Sequence, residues 1–130
     1  MNVLVPFDVQ PVSERAVRTA LDMFGGDQEV HITAVHVSDR EETPEQLAAS
    51  EVEAMGSEHD ASVEAEIQLV ERGSESRATV RKAITDIVES RDIDLVILGY
   101  EEKSLFEQVF RSDTAERMLK THGIPVLVVP

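Results

Sequence analysis

Short, wholly apolar runs alternate along this chain with longer stretches in which apolar residues recur every three or four positions. That alternation admits few folds. Five of the short runs read as strands: Val3 to Phe7, Ile32 to Val37, Val63 to Val70, Leu95 to Gly99 and Pro125 to Val129. Val-Leu-Val, Leu-Val-Ile-Leu and Val-Leu-Val-Val are apolar at every position, so both faces of those strands are expected under cover. The third run alternates instead, with Val63, Ala65, Ile67 and Leu69 on one side and Glu64, Glu66 and Gln68 on the other. One of its faces is expected to be wet, which puts the strand at or near an edge of the sheet.

Helices are expected in the gaps. Ser13 to Phe24 carries Ala16, Val17, Ala20, Leu21 and Phe24 on one stripe, and Gly25-Gly26 supplies a left-handed stop. Thr43, Pro44 and Gln46 read as N-cap, first-turn proline and capping-box partner of an acidic helix running to about Gly56. Ser76 or a neighbour starts a third, in which Val80, Ala83, Ile84, Ile87 and Val88 keep helical spacing. Ser112 caps a fourth, bearing Ala115, Met118 and Leu119 and ending at His122-Gly123. Strands and helices in strict alternation predict an α/β fold, an open five-stranded parallel sheet flanked by helices on both faces. Its 130 residues make one domain, 1–130, without internal repeat or linker.

Charge narrows the choice of partners. Twenty-six acidic residues against twelve basic ones leave a net charge of −14, so nucleic acid and an anionic membrane are expected to be repelled. The absence of cysteine excludes disulfides, thiolate metal sites and cysteine catalysis. No apolar run approaches the roughly 20 residues that span a bilayer, and the first residues lack the charged lead of a signal peptide, so a cytoplasmic location is expected. The basic residues are nine arginines and three lysines, Lys82, Lys103 and Lys120. A balance so acidic and so poor in lysine suits a very salty, halophilic cytoplasm, where salt screens self-repulsion.

Open parallel sheets take ligands at the carboxyl ends of their strands, beside the topological switch point. Three segments are therefore candidates: Pro6-Phe7-Asp8, His36-Val37-Ser38-Asp39 and Leu98-Gly99-Tyr100. Asp8 reads either as a contact to a nucleotide or its metal, or as a cap for the turn that follows. His31, His36, His59 and His122 have no metal-ligand spacing among them, so no metal site is expected. Ser13, Ser38, Ser74 and Ser112 lack both a nucleophile elbow and a base placed by sequence, and no catalytic residue is expected. Phe106, Val109 and Phe110 form an apolar i, i+3, i+4 set that packs over the cleft or against a second subunit.

Taken together in order, these segments resemble the universal stress protein family over the full length. Val-Leu-Val-Pro-Phe-Asp8 with Ser13 and Ala16 looks like the family's first strand, aspartate-bearing loop and first helix. His36-Val37, Glu71-Arg72-Gly73 and Asp94 to Gly99 resemble its second strand end, the turn after its third strand and its fourth strand. Ala115-Glu116-Arg117 through Gly123 to Val129 resembles its last helix and strand. The resemblance implies a Rossmann-like fold of the adenine nucleotide alpha hydrolase type. The last strand, Pro125 to Val129, is short and apolar and is expected at an edge, where it invites pairing with its own copy; the resemblance implies an antiparallel homodimer there, and a stress-response or regulatory role without catalysis.

Some members hold ATP at the strand ends. Carried onto this chain, that cleft consists of Pro6, Phe7, Asp8, Val37, Leu98, Gly99, Glu102, Ser112, Asp113 and Thr114. The binding members carry Gly, two residues, Gly, nine residues, then Gly followed by Ser or Thr. Here only Gly99 remains, while Glu102, Ser112 and Asp113 stand at the other three positions. Glycine lets backbone amides turn inward and close on phosphate oxygens. A carboxylate about 5 Å from a phosphate charge costs roughly 3 kcal/mol at an effective dielectric of about 20. No cofactor is therefore expected, unless Mg²⁺ bridges Glu101, Glu102 and Asp113 to ATP. Against that loss, Ser112 would begin a helix whose free amides favour an anion, and Lys103 and Arg111 are near in sequence.

Overall fold

A computed structural model of the chain describes residues 1–6, 11–27, 29–38, 43–58, 62–69, 77–99 and 123–130. Five strands lie within these segments: β1 (Asn2–Pro6), β2 (His31–Ser38), β3 (Ser62–Leu69), β4 (Leu95–Gly99) and β5 (Val126–Val129). Three helices accompany them: α1 (Pro11–Phe24), α2 (Thr43–Glu58) and α3 (Arg77–Ser90). All strand pairs are parallel and the order across the sheet is β3-β2-β1-β4-β5. The helix expected to begin at Ser112 lies outside the described residues.

Periodicity explains which helix covers which face. Ala16, Val17, Ala20 and Leu21 of α1 pack with Val3, Val5, Ile32, Ala34 and Ile97 of the sheet, and Val52 of α2 joins them. Ile84, Ile87 and Val88 of α3 pack on the other face against Leu4, Val35, Val37, Val96 and Leu98. Alternate residues of each central strand thus feed opposite cores, which is why β1 and β4 read as unbroken apolar runs. The chain steps outward from β1 to β3 over α1 and α2, then returns to β4 by way of α3 on the opposite face. That reversal keeps one hand for the crossovers.

Several boundaries differ from the sequence expectation for identifiable reasons. α1 begins at Pro11 rather than Ser13, since proline's fixed φ suits a first helical turn. α2 runs past Gly56 to Glu58; Gly56 is buried one turn beyond Val52, and packing overrides its poor helix propensity. The stop after α1 is as expected, with Gly26 at φ 86° and the Gly25 N–H donating to the Leu21 carbonyl over 2.6 Å. β5 is an edge strand, as its short final run led one to expect, and cover on both faces fails there. Val126, Leu127 and Val129 are only partly buried and Val128 is 49% exposed, because β5 is the outermost strand on its side.

Candidate functional site

The switch point of this sheet lies between β1 and β4, because the chain leaves β1 toward β2 and re-enters on the other side at β4. β1 is in register with β2 along its whole length, from Asn2↔His31 to Pro6↔Val35. With β4 the ladder holds only Val3↔Leu95 and Leu4↔Val96. Val5, Pro6, Ile97, Leu98 and Gly99 continue beyond the last paired residues, and all are buried. Pro6 carries no N–H and cannot donate to a neighbouring strand.

Of the residues expected at a ligand cleft, Pro6 closes β1, Val37 lies one residue short of the end of β2, and Leu98 and Gly99 close β4. All four share the carboxyl edge of the sheet, and Val37 and Leu98 belong to the same apolar cluster. Phe7, Asp8, Glu102, Ser112, Asp113 and Thr114 lie outside the described residues, as do Glu101, Lys103, Phe106, Val109, Phe110 and Arg111. What the described part offers a ligand here is an apolar floor rather than a polar contact.

A second cleft, which sequence reasoning missed, sits at the opposite, amino end of the strands. It has a volume of about 250 Å³ and is lined by Asn2, His31, Thr33, Glu64, Glu66, Arg91 and Ile93. α3 covers the middle of the sheet and leaves this part of β2 and β3 open. His31 Nε2 lies 3.5 Å from Glu64 Oε2, and Arg91 Nη1 meets Glu66 Oε1 as an ion pair. The alternation in β3 foretold carboxylates on one face. The approach of Arg91 was not foretold, and it leaves Glu66 less exposed than Glu64.

Around this cleft the start of β1 is tied to the turn between α3 and β4. The Asn2 side chain donates to the carbonyls of Arg91 and Asp92 over 3.2 and 3.3 Å, and the Asn2 N–H donates to Asp94 Oδ2 over 2.7 Å. Asp94 N–H returns a bond to the Asn2 carbonyl at 2.8 Å. Among the described residues no three His, Asp or Glu side chains gather as a metal centre would require. Of the four histidines, His36 is buried in β2 and His31 lines the amino-end cleft, while His59 and His122 lie outside the described residues. Among the described residues the one perturbed ionisation is a raised Arg18 pKa, which comes from its hydrogen bond to Glu14 and then from the charges of Glu14, Glu58 and Asp22, on the exposed side of α1. Among the described residues no helix is long and apolar enough to cross a membrane.

The chain is similar over nearly its whole length to several solved structures. One is a universal stress protein in complex with cAMP, with a TM-score of 0.70 and 15% identity, covering 99% of this chain and 95% of that one. Another is the universal stress protein from Archaeoglobus fulgidus in complex with dAMP, at 0.67 and 17%, covering 100% and 98%. A third, from the universal stress protein family of Burkholderia pseudomallei, gives 0.66 and 19%, covering 99% and 95%. At such identities the likeness speaks for the fold. No curated protein matches the chain. The model of the universal stress protein family, however, matches residues 1–130, and the chain belongs to that family.

Proposed function

We propose that the protein is a cytoplasmic stress-response regulator that acts as a homodimer through β5 and does not hold ATP at the carboxyl ends of its strands. The observation that carries this reading is the chain after β4, where Glu102, Ser112 and Asp113 stand in place of the residues with which nucleotide-binding members close on phosphate. Carboxylates there oppose a triphosphate, each by roughly 3 kcal/mol at about 5 Å. The apolar, half-exposed β5 supports the dimer, since an unpaired apolar edge is stabilised by a second strand. The acidic, lysine-poor composition fits a salty cytoplasm.

A second reading has specific support. Two of the similar structures are complexes with cAMP and dAMP, and a monophosphate brings less charge to the acidic loop than ATP does. In that reading Pro6, Phe7, Asp8, Val37, Leu98, Gly99, Ser112 and Thr114 surround a nucleotide, with Mg²⁺ bridging it to Glu102 and Asp113.

Calorimetry with ATP, AMP and cAMP, each with and without Mg²⁺ at high salt, separates the two. The first reading expects no saturable heat with ATP. A micromolar ATP complex refutes it, and a complex with the monophosphates alone selects the second. Release of phosphate from ATP indicates an enzyme, and a monomeric mass in solution removes the dimer.

A further inference from the structure

We propose that the two edges of the sheet have opposite roles, β5 taking a second copy of the chain and β3 refusing one, so that assembly closes at two subunits. The β5 half rests on the dimer reading above; the β3 half stands on its own.

By backbone alone β3 is the better template. It spans eight residues against four in β5, contains no proline, and among the described residues pairs on one side only, with β2. An edge of that length invites another chain unless its side chains forbid it. Successive residues of β3 face opposite sides, and Glu64 and Glu66 stand on the α3 side with Thr33 and His31 of β2. When two copies of one strand pair antiparallel about a two-fold axis through the sheet, residues directly opposite share a face. A pairing centred on Ala65 then sets Glu64 against Glu66 twice. One centred on Glu64 or Glu66 sets that residue against its own copy. Each central register therefore brings carboxylates together at Cβ separations of about 5 Å.

The local cations do not remove this conflict. Arg91 compensates Glu66, but Glu64 faces His31, which is charged only when protonated. With His31 neutral, each edge keeps one carboxylate in excess and pairing would desolvate two. Pairing β3 with β5 of another copy in a continuous sheet fares no better, because it sets Glu64 and Glu66 beside Val126 and Val128. That head-to-tail contact is the one that would grow into fibres. β5 carries no charge in Val126–Val129, and every register sets valine or leucine against valine or leucine. Two chains joined there form one ten-stranded sheet whose two free ends are both β3.

Light scattering across a concentration series in KCl tests this with Glu64→Thr/Glu66→Thr. The double variant is expected to assemble beyond the wild type, at least doubling its mass, with growth that reverses on dilution. Glu64→Lys/Glu66→Lys removes more net negative charge but again sets like charges opposite, and is expected to keep the wild-type mass. An unchanged mass for the threonine variant overturns the inference. So does equal assembly of the lysine variant, which would make net charge the cause. If circular dichroism shows the threonine variant unfolded, Glu64→Gln/Glu66→Gln is read by the same criteria. A monomeric wild type removes only the β5 dimer, and the threonine variant is then expected to form dimers through β3.

Discussion

Asn2 and Asp92 show how much one residue contributes where the chain turns. α3 ends with the Ile93 N–H reaching the Val88 carbonyl at 3.4 Å, and Asp92 takes a φ of 49° to allow it. An L residue in that region costs about 1–2 kcal/mol, least for a short polar side chain such as aspartate. Asp92→Val is therefore expected to lower stability by about 1–2 kcal/mol and Asp92→Gly to leave it within about 1 kcal/mol, since glycine adopts this φ without strain. Chemical denaturation of both variants checks the pair, and equal losses would mean that the aspartate side chain, rather than the backbone, matters. Asn2 holds the same turn from outside through its two bonds to the Arg91 and Asp92 carbonyls. Asn2→Ala is expected to cost about 1–2 kcal/mol, as two partly exposed hydrogen bonds warrant.

At the scale of elements, packing decides what propensity leaves open. α3 is held to the sheet by Ile84, Ile87 and Val88, each nearly inaccessible. Ile84→Ala is expected to destabilise by about 2–5 kcal/mol with the denaturant slope unchanged, and a loss under about 1 kcal/mol would show that the helix does not depend on that contact. The stripe that makes this prediction was legible without coordinates, as was the alternation in β3 that marks it as an edge. The switch-point rule likewise placed Pro6, Val37, Leu98 and Gly99 at the carboxyl ends of their strands, because that placement needs only element order. What stayed illegible depends on distances between elements far apart in sequence. Arg91 meets Glu66 only because the turn after α3 sets its long side chain within reach of β3, and no local pattern in either segment records the other. The edge position of β5 was legible from its shortness and its place last in the chain, although Val-Leu-Val-Val by itself reads alike in the middle of a sheet and at its edge.

For the whole molecule the question is how far its charge opposes folding. A net charge of −14 on 7267 Å² of accessible surface is one unit per about 520 Å², a mean spacing of about 23 Å. The Debye length is about 30 Å at 0.01 M salt and about 8 Å at 0.15 M. Evenly spread charges thus repel one another in dilute buffer and are largely screened at ordinary ionic strength. Clustered carboxylates behave differently. Like charges about 7 Å apart, two positions along one strand face, are screened fully only toward molar salt, where the Debye length falls to about 3 Å. The thermal midpoint is accordingly expected to rise in two stages with added KCl, steeply below about 0.2 M as mean-field repulsion is screened and more gently toward about 1 M as close pairs are. Differential scanning calorimetry across that range reads both stages. A curve that is flat throughout refutes any role for the acidic surface in stability, and one that saturates below about 0.2 M removes the case for a very salty cytoplasm. A gain that continues undiminished above about 1 M has outrun screening and points to exclusion of salt from the protein surface.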